Sequence, residues 1–92
     1  MSESQRDESP YGPVDFAHYV MSIASSAMIA LGKLPDPESG KASIELPTAR
    51  HLIDVLSMLE EKTKGNLDAT EQKLVTSLLY DLRLSFVEAQ RK

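Results

Sequence analysis

The stretch DATEQKLVTSLLYDLRLSFVEAQ (residues 68–90) decides the fold. It opens with Asp68 followed three positions later by Glu71, which resembles a capping box with Asp in place of the usual Ser or Thr. After that cap, Leu74, Val75, Leu78, Leu79, Leu82, Phe86 and Ala89 recur at helical spacing and form one apolar stripe. Tyr80, Leu84 and Val87 form a second stripe, roughly opposite the first at about 100° per residue. A helix inside a small monomer needs one apolar face, not two. The segment therefore predicts a helix over about 69–90 with surface to spare.

A second helix is predicted upstream, over about 47–64. Pro47 suits a first helical position, where its missing N–H costs nothing. Ala49, Leu52, Ile53, Val55, Leu56 and Leu59 form its apolar face; Arg50, Asp54, Ser57 and Glu61 form the wet one. Gly65 and Asn66 end it, with Lys62 and Lys64 near the negative end of its dipole.

A third helix is expected over about 15–31, with Asp15 as N-cap and Gly32 as its left-handed stop. Its apolar residues cover more than half the circumference, and His18, Ser22 and Ser25 leave only a narrow polar strip. Such a helix is either central in the fold or shared with another chain. Ala24-Ser25-Ser26-Ala27 is a run of small residues that suits a close helix crossing, within the chain or across a symmetry axis. Residues 33–45 hold turn chemistry (Pro35, Asp36, Pro37, Ser39, Gly40) and read as a loop packed on the helices. Residues 42–46 alternate apolar and polar, but a single strand has nothing to pair with. Residues 1–13 read as a disordered tail. The expected architecture is all-α. It is a three-helix bundle, or a helical hairpin plus a third helix, within an oligomer, and residues 14–92 form one domain.

Composition narrows the function. Ninety-two residues make one domain with a small core that benefits from a partner. The chain has no cysteine, which excludes disulfides and thiolate metal sites and suits a cytoplasmic location. A net charge of −4 with ten scattered Lys and Arg argues against nucleic acid as a partner. Residues 16–31 carry no charged side chain, yet fall short of the ~20 apolar residues of a membrane span. Interfacial helices usually carry Lys or Arg on the polar face, and these are missing, so membrane association is not expected.

No constellation supports catalysis. Gly40-Lys41 resembles the end of a phosphate-binding loop, but Pro35 stands where that loop needs Gly, and Ala42 where it needs Ser or Thr. His51 and Asp54 share a helix face, but two ligands are too few for zinc. Glu60 precedes Lys64 by one turn and suits an exposed ion pair. Asp81 is expected to pair with Arg83 or with a charge on another helix. Ser22, Ser25 and Ser26 lack the glycines of a nucleophile elbow. No catalytic residue, cofactor or metal site is assigned.

Several stretches together resemble a known family: residues 16–31 with the Ala-Ser-Ser-Ala centre, Gly32-Lys33-Leu34-Pro35-Asp36-Pro37, Leu46-Pro47, residues 58–67, and Leu78-Leu79-Tyr80-Asp81-Leu82-Arg83. The chain is similar over about residues 16–89 to the small bacterial family known as domain of unknown function 1844. The resemblance implies a bacterial protein with a compact helical domain and carries over no catalytic role. It draws attention to Glu60, Glu61, Lys62, Lys64, Gly65 and Asn66, which helix capping and ion pairing would explain. It also marks Tyr80, Asp81 and Arg83, of which Tyr80 lies on the surplus stripe.

The function expected from these features is a non-catalytic protein-interaction module that forms a homo-oligomer, most simply a dimer, and that could also receive another protein. Its expected interface comprises Ser25, Met28, Ile29, Tyr80, Leu84 and Val87. The alternative is a peripheral membrane or lipid-associated helical protein.

Overall fold

The computed structural model describes residues 10, 12 and 14–91. Apart from Pro10 and Gly12, the tail expected over residues 1–13 lies outside the described residues. Three helices follow in order, α1 (Phe16–Ala30), α2 (Leu46–Lys62) and α3 (Ala69–Gln90), and each packs on the other two. No helix among the described residues is long and apolar enough to cross a membrane.

Each boundary has a local cause. Asp15 accepts the His18 amide at 2.7 Å and starts α1. At the other end Gly32 takes φ +76°. Its amide reaches the Ile29 carbonyl at 3.0 Å, and the Lys33 amide reaches Met28 at 2.9 Å. That pair of bonds is the Schellman motif, which satisfies the carbonyls orphaned at a helix end. At α3 both halves of the capping box form: the Asp68 carboxylate takes the Glu71 amide at 2.8 Å, and the Glu71 carboxylate takes the Asp68 amide at 3.0 Å.

α2 departs slightly from expectation. It begins at Leu46, which makes Pro47 its second residue; the proline still falls among the amides that no helix uses. It ends at Lys62 rather than near Lys64. The Thr63 hydroxyl donates back to the Leu59 carbonyl at 2.6 Å, and the chain then turns through Gly65 at φ +89°. The connecting loop also differs in one respect. Ile44 forms an isolated antiparallel bridge with Leu31, and the Glu45 amide donates to the Ala30 carbonyl at 2.7 Å. The C-terminal end of α1, at Ala30 and its C-cap Leu31, supplies the pairing partner that an isolated strand lacks.

The core holds Val20, Ile23, Ala24, Ala27, Ala30 and Leu31, then Ala49, Ile53 and Leu56, then Val75, Leu79, Leu82 and Ala89. Ala24, Ala27, Ala30 and Ala49 are short side chains that let α1 and its neighbours approach closely, since interaxial distance depends on the residues at the contact. Ser25 and Ser26 of the same run face outward. No polar side chain is buried among the described residues. Hydrophobic area, and not a polar network, therefore holds the helices together.

The loop docking gives one prediction. A Cβ placed on Gly32 would sit 2.9 Å from Ile44 Cγ1, whereas one on Gly65 would meet nothing within 4 Å. Both glycines have positive φ, so either alanine costs about 1–2 kcal/mol in backbone conformation. Gly32→Ala should cost about 1 kcal/mol more than Gly65→Ala, because Ile44 must also move. Urea midpoints of the two variants test this, and equal midpoints would show that the loop gives way freely.

Candidate interaction surface

The buried positions of α3 leave its opposite side bare. Tyr80, Leu84 and Val87 are 68%, 50% and 44% exposed, and with Thr76 and Arg83 they line one open depression. The arrangement follows from helix geometry: Val75, Leu79 and Leu82 point inward, so residues half a turn away must point out.

Arg83 borders this patch on the α2 side. Its Nη2 donates to the Ser57 hydroxyl at 3.2 Å, which lays the guanidinium across the α2–α3 boundary. Beyond it Arg50 and Asp54 approach at 3.6 Å, and Arg50, Ile53, Asp54, Arg83, Phe86 and Val87 line a second groove. Val87 belongs to both depressions, so the apolar patch continues into the groove. On the other flank Glu88 accepts from Lys33 Nζ at 3.3 Å, at the end of α1. The patch is thus bordered by a guanidinium on one side and a carboxylate on the other.

The α1 residues expected in the interface stand elsewhere. Ser25 is exposed. Met28 is half-buried and packs on the core. Ile29 is half-buried and lines a depression with Ser26, Asp36, Pro37 and Glu38. The structure brings Tyr80, Leu84 and Val87 together, and neither α3 depression has an α1 residue in its wall. Arg83, Thr76 and the Arg50–Asp54 pair were not assigned to the surface from sequence. The four-residue spacing of Arg50 and Asp54 marks them as an ion pair on α2, but no local signal places that pair beside α3.

The remaining polar candidates are engaged differently from expectation. Glu60 does not pair with Lys64 among the described contacts. Its Oε2 accepts from Gln72 Nε2 at 3.1 Å and from the Thr76 hydroxyl at 3.2 Å, tying α2 to α3. Lys64 lies beyond the end of α2, so the helical spacing that favours the pair is lost. Asp81 is exposed and makes no ion pair with Arg83 among the described contacts, because that guanidinium is turned to Ser57. The Ser22 hydroxyl donates to the Tyr19 carbonyl at 2.9 Å.

In the Gly40-Lys41 loop the Asp36 carboxylate accepts the Glu38 amide at 2.7 Å and the Ser39 amide at 3.3 Å. A carboxylate therefore stands where a phosphate cradle would present free amides. His18, His51 and Asp54 are exposed, and no group of three potential metal ligands comes together among the described residues.

Comparison with known proteins adds the family. A family model described as a domain of unknown function (DUF1844) matches residues 13–88, most of the chain. No curated protein and no solved structure shows significant similarity. The chain belongs to the DUF1844 family.

Proposed function

We propose that this family member is a helical interaction module that associates with itself through the outer face of α3. The observation that carries the reading is the contiguous exposure of Tyr80, Leu84 and Val87 beside Arg83, on a helix whose other face is already committed to the core. Tyr and Arg are the residue types that most often anchor interfaces, and a core of this size gains from covering such a patch. Burying a fully exposed side chain of this size is worth about 1.5–3 kcal/mol, and these three are about half to two thirds exposed, so covering each one recovers about half of that. The open, shallow shape fits a protein surface better than the enclosed cleft that holds a small molecule.

The reading includes no catalytic step. The lipid-associated alternative has less support, since α1 sets His18, Ser22, Ser25 and Ser26 outward beside Tyr19 and Met21 and bears no Lys or Arg.

The test is the mass of the full-length protein by light scattering over a concentration series. A dimer that dissociates on dilution is the expected result. A monomer at every concentration would end the proposal of self-association.

A further inference from the structure

We propose that a second copy of the chain docks on α3 in parallel and in register, as a short two-stranded coiled coil. The inference rests on the self-association proposed above and adds the orientation and the pairs that set it. Along the outer face of α3, Lys73, Ser77, Tyr80, Leu84, Val87 and Arg91 are all exposed, and they stand alternately four and three residues apart. That spacing is a heptad seam: Ser77, Leu84 and Arg91 occupy the a positions, and Lys73, Tyr80 and Val87 the d positions. From Lys73 to Arg91 the seam runs about 27 Å along the helix.

The flanks of the seam decide the orientation. Thr76 and Arg83 precede the a positions and lie on the α2 side, where Thr76 bonds Glu60 and Arg83 bonds Ser57. Asp81 and Glu88 follow the d positions, and Glu88 reaches Lys33 at the end of α1. One edge therefore carries a guanidinium and a hydroxyl, and the other edge two carboxylates. In a parallel pair each g residue faces the e residue five positions on in its partner. Arg83 then meets Glu88 of the partner subunit, and Thr76 meets Asp81 of the partner subunit, twice each by symmetry.

An antiparallel pair sets like edge against like edge. It would bring the two Arg83 side chains together and collect the carboxylates on one side, which is repulsive. The cationic ends of the seam, Lys73 and Arg91, each face their own copy in the parallel pair. That is a cost to the parallel pair, and the length of the two side chains limits it by letting the charges reach water.

The chain has no cysteine, so a single introduced thiol reports the register. In the parallel pair Ser77 faces its own copy within disulfide reach. In an antiparallel pair centred on Leu84 the two Ser77 positions lie about 21 Å apart. Mild oxidation of full-length Ser77→Cys should give a covalent dimer in high yield. Charge exchange supplies a second readout. Arg83→Glu should weaken association about ten-fold, and Arg83→Glu combined with Glu88→Arg should restore most of it.

A wild-type dimer whose Ser77→Cys variant does not cross-link, and whose double charge variant shows no rescue, would overturn the parallel register and leave self-association standing. A wild-type monomer at all concentrations would overturn both. Circular dichroism of each variant confirms that the fold is retained.

Discussion

Leu79→Ala is expected to lower the unfolding free energy by about 2–5 kcal/mol. Leu79 is 1% exposed and ranks with Leu56 and Leu82 among the largest fully buried side chains. It sits on the inner face of α3 within the shared buried core, so truncation removes contacts and leaves a cavity that the surrounding packing closes only in part. A chain of this length has a total stability of only about 5–14 kcal/mol at typical values per residue. The variant should therefore lose a large share of its stability, and a substantial part of the population should unfold on mild warming.

Urea unfolding followed by circular dichroism checks this, with Glu61→Ala as the reference. Glu61 is exposed on α2, away from the outer face of α3, and its side chain has no described partner, so its removal should move stability by no more than about 0.5 kcal/mol. Both are compared with wild type at one protein concentration, because association adds stability by mass action. A loss below about 1 kcal/mol for Leu79→Ala would mean that the three-helix core is packed differently from this arrangement.

The contrast between Leu79 and Glu61 shows how much of the fold is legible in the sequence. α3 is readable because its signals are local. Asp68 and Glu71 are three residues apart and cap each other, and its two apolar stripes are far enough apart on the wheel to be distinguished. α2 is readable for the same reason, as Ala49, Ile53 and Leu56 are buried on the face its pattern marks.

α1 is not readable in this way. Its apolar residues surround the helix, so periodicity cannot say that Val20, Ile23 and Ala27 go inside while Tyr19 and Met21 remain 57% and 46% exposed. The packing of α2 and α3 makes that choice. Contacts between distant residues were equally hidden. Glu60 finds Gln72 and Thr76 across a turn instead of Lys64 on its own helix, and Ile44 finds Leu31 only after α1 has ended.

The candidate surface follows the same division. Tyr80, Leu84 and Val87 stand out in the sequence because one helix cannot bury two opposite stripes in a small core. The grouping of Ser25, Met28 and Ile29 with them rests on the apolar excess of α1 and on its run of small residues. The partial burial of Met28 and Ile29 within their own chain depends on the core and on a loop whose path no periodicity describes. Arg83 shows the opposite limit. Its neighbour in sequence suggested a pair with Asp81, while its contact is with Ser57 on another helix.

Leu84→Glu should separate the copies while leaving each one folded. Leu84 is 50% exposed in the single chain, so a glutamate there can keep its carboxylate in water and should cost the monomer little. In the proposed assembly the same position faces its own copy at the centre of the seam. Two carboxylates would then be taken from water next to each other and next to Tyr80 and Val87, and the flanking Arg83 side chains, turned to Ser57 on α2, offset only part of that cost. The expected penalty is about 3 kcal/mol or more, roughly a hundredfold or greater loss of affinity. Sedimentation velocity should show a monomer at concentrations where the wild type is a dimer, and circular dichroism should show the same helix content in both. An unfolded variant would show that Leu84 supports the single chain more than its exposure indicates. An unchanged, well-folded dimer would show that the copies meet elsewhere, and the exposed face of α3 would then need a different partner to explain it.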